Sequence, residues 1–90
     1  MGHEYRLTLA LPSHAETDQL LRAIPGFEKF SPQFGLYSFR RRSTGAMPDV
    51  DVAIEPSGLY LLRHGGSVEV IREIQATFAA IGLHAELEEL

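Results

Sequence analysis

Residues 49–63 read DVDVAIEPSGLYLLR. On each side of a Pro-Ser-Gly break stands a short run rich in β-branched, aromatic and leucine residues, the composition of paired strands. Pro56 sets φ for the first turn position, Ser57 suits the second, and Gly58 takes the left-handed position of a three-residue hairpin. That turn pairs Glu55 with Leu59, so Ala53 faces Leu61 and Asp51 faces Arg63. Upstream, residues 36–42 (LYSFRRR) supply a further strand, joined through the polar, Gly- and Pro-punctuated loop 43–48. With that hairpin centred on its loop, Arg42 faces Asp49, Arg40 faces Asp51 and Ser38 faces Ala53.

Side chains alternate between the two faces of a strand. This register puts Tyr37, Phe39, Val50, Val52, Ile54, Tyr60 and Leu62 on a core face. The opposite face carries Leu36, Ser38, Arg40, Arg42, Asp49, Asp51, Ala53, Glu55, Leu59, Leu61 and Arg63. Three cross-strand ion pairs then absorb the arginine run: Arg42 with Asp49, Arg40 with Asp51, and Arg63 with Asp51. What remains is an apolar cluster of Leu36, Ala53, Leu59 and Leu61, ringed by Arg40, Asp51, Glu55 and Arg63. Contiguous apolar patches with a polar rim mark interaction sites.

The flanking segments complete the domain. Tyr5, Leu7, Leu9 and Leu11 alternate with Glu4, Arg6, Thr8 and Ala10 as a first strand. Ser13 and Glu16 form a capping box, and a helix carrying Leu20, Leu21 and Ile24 stops at Pro25-Gly26. Residues 26–35 read as a loop anchored by Phe27, Phe30 and Phe34, in which 27–30 can form a short edge strand. The spacing of Ile71, Ile74, Phe78 and Ile81 predicts a second helix, starting at Ser67 and ending at Gly82. Leu83, Ala85 and Leu87 alternate with His84, Glu86 and Glu88 as a last strand. The expected fold is a single α+β domain over 1–90. It is a two-layer sandwich of about five mostly antiparallel strands in the order β-α-β-β-β-α-β, with two helices on one face. In element order this resembles the ferredoxin-like arrangement with one added strand, a likeness that carries no function.

Composition narrows the classes. The chain has 90 residues, 44% of them hydrophobic, and no cysteine, so its stability rests on its core rather than on disulfides or thiolate metal sites. Net charge is −4, and most of the acid lies in the second half. That balance argues against nucleic acid or anionic lipid as the partner and fits a basic protein surface. Glu4 and Arg6 interrupt the N-terminal apolar run, and no stretch approaches membrane-span length, so the expected location is the cytoplasm.

Chemical motifs are sparse. His3, His14, His64 and His84 lack ligand spacing, and Asp49 and Asp51, though on one strand face, are answered by arginines; no metal and no cofactor is expected. No Ser/His/Asp spacing and no nucleophilic cysteine suggests catalysis. Arg63-His64-Gly65-Gly66-Ser67 could hold an anion at a helix start, with His64 as the natural acid or base but without an evident partner. Phe34-Gly35-Leu36-Tyr37-Ser38-Phe39 followed by three arginines is similar to the aromatic-basic strand of RNA-recognition domains. Its aromatics fall on the core face, away from the charge.

The leading expectation is a non-enzymatic protein-interaction module, either a homodimer or an inhibitor- or immunity-type partner of a larger protein. Its anchors would be Leu59 and Leu61, beside Leu36 and Ala53, with Arg40, Asp51 and Arg63 setting orientation. A small anionic-ligand site or enzyme at Gly65-Gly66 is the alternative, and RNA binding a third.

Overall fold

The computed structural model describes residues 3–65 and 68–90. Its elements are β1 (His3–Thr8), α1 (His14–Ala23), β2 (Phe27–Ser31), β3 (Leu36–Phe39), β4 (Val50–Glu55), β5 (Gly58–Arg63), α2 (Glu69–Ala80) and β6 (Glu86–Glu89). The strands form one open six-stranded sheet in the order β2-β3-β4-β5-β1-β6, and every neighbouring pair is antiparallel. The α+β class with two helices is as the sequence predicts. The strand count is higher by one, because the short edge strand allowed at 27–30 does form, as Phe27–Ser31 paired with β3.

Local chemistry explains the element ends. Ser13 caps α1 through its hydroxyl, which accepts from the Glu16 N–H at 3.2 Å and donates to the Glu16 carboxylate at 3.1 Å. The carboxylate therefore meets the cap's hydroxyl, whereas a full capping box would have it accept the cap's backbone N–H. Gly82, at φ +84°, follows α2 in the left-handed region that favours glycine. The expected start of α2 at Ser67 lies outside the described residues.

One departure from the expected register reorganises the meander. Glu55 pairs with Gly58, and Ile54 with Leu59. The hairpin loop is thus the two residues Pro56 and Ser57, not three. Gly58 belongs to β5, opposite both Glu55 and Thr8, and a Cβ there would stand 2.0 Å from the Leu7 carbonyl oxygen. The glycine serves the close approach of β1 as well as its own φ of +150°. A one-residue slip turns every side chain of a strand over, so Leu59 and Leu61 lie in the core while Tyr60 and Leu62 face outward. The placement of Leu59 and Leu61 on the uncovered face is therefore corrected.

In β3 and β4 the slip is two residues, since Ser38 faces Asp51 and Leu36 faces Ala53. An even shift keeps faces intact, and Tyr37, Phe39, Val50 and Val52 are core as expected. The helices contribute Leu21 from α1 and Val70, Ile71, Ile74 and Phe78 from α2 to the same cluster. Across the sheet the core reads Tyr37–Val52–Leu61–Tyr5 in one row and Ile54–Leu59–Leu7 in the next.

The 26–35 segment is tied to α1. Arg22 lies over the rings of Phe30, Phe27 and Tyr37 at 5.3, 5.6 and 5.9 Å. Asp18 accepts from Arg22 Nε at 3.0 Å and from the Tyr37 hydroxyl at 2.5 Å.

Candidate functional site

The arginine run is absorbed by the loop that follows β3, through contacts other than the expected pairs. Asp49 is the centre. Its Oδ2 accepts the backbone N–H of Arg41 (2.9 Å) and Arg42 (2.8 Å), and its Oδ1 accepts that of Ser43 (2.8 Å). Burial pushes this carboxyl upward, but three N–H donors and the Arg40 charge outweigh it and hold it below its ordinary value. The wrap also explains why β3 ends at Phe39 and does not reach residue 42. Arg40 donates to Glu28 at 2.6 Å and to the Gly45 carbonyl at 2.8 Å. Arg41 reaches Glu73, and Arg42 grips Glu69 through Nε and Nη2 at 3.0 and 2.9 Å. None of the three expected pairings exists as drawn: Ser38 and Leu62 flank Asp51, and Arg63 stands opposite Val50.

The sheet face away from the helices has two regions. Its middle is a half-buried apolar row, Leu36–Ala53–Tyr60, with Leu62 alongside. Toward β1 and β6 it becomes acidic, for Glu4, Glu55, Glu86 and Glu88 lie there with Arg6, while Lys29 stands on the same face at the β2 edge, opposite Ser38. Arg6 donates to Glu55 at 3.4 Å, and the Tyr60 hydroxyl donates to Glu4 at 2.5 Å. The bond to Glu4, with burial, raises the Tyr60 phenol. Glu86 and Glu88 are exposed and make no ion pair among the described residues.

At the other end of this face the fold supplies His64 with the partner its sequence context lacks. Residues 60, 62 and 64 share the face once β5 is turned over, and His64 Nε2 lies 2.7 Å from Asp51 Oδ2. Ser38 Oγ donates to Asp51 Oδ1 at 2.6 Å. The carboxylate only accepts, so Nε2 carries the proton and Nδ1 is the nitrogen left for another partner. The carboxylate sits between hydroxyl and imidazole, so the ring does not contact Ser38 and cannot activate it as a nucleophile. The His64 and Asp51 side chains are 14% and 13% exposed. His64 lines a cavity of about 270 Å³ together with Arg42, Ser43, Met47, Pro48, Asp49 and Gly65.

The expected residues are therefore divided. Leu36, Ala53 and Asp51 are on the uncovered face, whereas Leu59 and Leu61 are fully buried beneath the helices. Arg40 is spent on the loop. Arg63 lies on the helix side, donating to the Tyr5 hydroxyl at 3.3 Å, so it does not converge with His64. Gly65 borders the cavity, and Gly66 and Ser67 lie outside the described residues. Tyr60, Leu62 and the Asp51–His64 contact were hidden by the same inverted strand. Their signal is the even spacing 60, 62, 64, legible only when the turn length is known.

Among the described residues no group of three His, Cys, Asp or Glu could hold a metal, and no helix is long and apolar enough to cross a membrane. No protein-family model, curated protein or solved structure matches this chain.

Proposed function

We propose that this protein is a non-enzymatic interaction module. It docks a basic protein surface on its uncovered sheet face, in the manner of a small inhibitor or immunity-type partner. The element order, which we read as ferredoxin-like and widened by two strands, adds nothing to this reading. The observation that carries it is the pairing of an apolar row with an acidic flank on one flat face. Leu36, Ala53, Tyr60 and Leu62 supply area to exclude water, while Glu4, Glu55, Glu86 and Glu88 against Arg6 select a partner of opposite sign. Two copies meeting through this face would bring acid against acid, which favours a basic partner over a homodimer.

Light scattering and an amide-resolved NMR titration with an amphipathic lysine–leucine peptide test the reading. A mass near 10.0 kDa is expected, with peptide-induced shifts on β1, β5 and β6 that weaken in Glu86→Lys/Glu88→Lys. A stable dimer, or shifts confined to the helix side, would refute it.

A further inference from the structure

We infer that the cavity between the 42–49 loop and His64–Gly65 binds a small oxyanion, a carboxylate or a phosphate, held between His64 and Arg42. Among the described residues the fold leaves donor capacity unspent on two side chains that line this cavity. Arg42 gives Nε and Nη2 to Glu69, so Nη1 is its remaining edge and makes no hydrogen bond among the described residues. His64 gives Nε2 to Asp51, which fixes the ring and directs any further proton to Nδ1. A guanidinium and an imidazolium lining one small cavity are the donors that an oxyanion takes. Met47 and Pro48 add an apolar wall, suited to the carbon body of a carboxylate.

The acids around the cavity do not repel such a ligand at full strength, because each is already compensated. Asp49 of the loop accepts three backbone N–H groups and feels Arg40. Asp51 of β4 is held by Ser38 and His64, and Glu69 of α2 is paired with Arg42. The remaining control is the charge on His64. Neutral, the ring offers Nδ1 as an acceptor and rejects an anion; protonated, it donates. This site is distinct from the acidic region beside β6, and neither depends on the other.

The experiment is a titration of the full chain with sodium acetate and, separately, sodium phosphate, followed by amide and imidazole NMR. Saturable shifts at Arg42, Ser43, His64 and Gly65 are expected, about tenfold weaker in either His64→Gln or Arg42→Gln. Comparing the two arms identifies which oxyanion the cavity prefers. Shifts that never saturate, or that persist unchanged in both folded variants, overturn the proposal.

Discussion

Leu59 stands directly between Ile54 on β4 and Leu7 on β1, and its side chain is wholly enclosed. The alternation that follows from this contact hides Leu61 and turns Leu62 outward. Leu61→Ala should cost about 2–5 kcal/mol, the range for a leucine removed from a packed core. Leu62→Ala, at a half-buried position, should cost about 1 kcal/mol or less. Urea denaturation of both variants gives the comparison directly, and equal or reversed costs would contradict the register.

Gly58 accepts no side chain. A methyl group there meets the Leu7 carbonyl oxygen at 2.0 Å, a backbone atom that cannot move without separating β1 from β5. Gly58→Ala should destabilise by more than about 2 kcal/mol, combining the clash with the unfavourable φ. Gly35, at φ +66° with nothing near its missing Cβ, is the control: alanine there should cost only about 1 kcal/mol.

Asp49 organises the loop as an internal anion. Asp49→Ala should leave the N–H groups of Arg41, Arg42 and Ser43 without their acceptor, costing about 2–4 kcal/mol in total. Hydrogen exchange at those three amides should accelerate more than in the strands. Since this carboxyl is held below its ordinary value, its contribution is complete above the normal carboxylate range. It is lost as pH falls through the lowered value.

Tyr37 gives the fold an alkaline limit. Burial first, and the bond to Asp18 second, push its phenol up to about 12. An unfolded tyrosine ionises near pH 10 by comparison, so the stabilisation is complete below about 10 and disappears as pH rises through about 12. Tyr37→Phe should flatten the fall in melting temperature over that window. Tyr60 is also raised, chiefly by Glu4, so the Tyr37→Phe/Tyr60→Phe pair should flatten it further.

Much of this architecture is legible in the chain itself. Strand β1 shows its faces because Tyr5, Leu7 and Leu9 alternate with Glu4, Arg6 and Thr8. The core side of β3 and β4 is equally plain, since Asp51 and Ser38 contrast with Val50, Val52, Tyr37 and Phe39. The helix stops follow from the backbone alone: Pro25 lacks an N–H and has a fixed φ, and Gly26 and Gly82 take the left-handed region. The loop anchored by Asp49 is different: an aspartate seven residues after Arg42 gives no local sign that it will accept backbone N–H groups rather than a guanidinium.

Strand β5 is where local information runs out. Leu59, Tyr60, Leu61 and Leu62 are apolar at both parities, so hydrophobic alternation favours neither face, and Pro56-Ser57-Gly58 suits a two- or a three-residue turn. The choice is made by β1, which approaches so closely that only glycine fits beside Leu7, drawing Gly58 into the strand. From that single tertiary contact follow the burial of Leu59 and Leu61, the outward row through Tyr60 and Leu62, and the meeting of His64 with Asp51. Sequence determined the elements and the faces with polar contrast. Packing decided the one strand whose two faces are chemically alike, because only a neighbouring backbone could tell them apart.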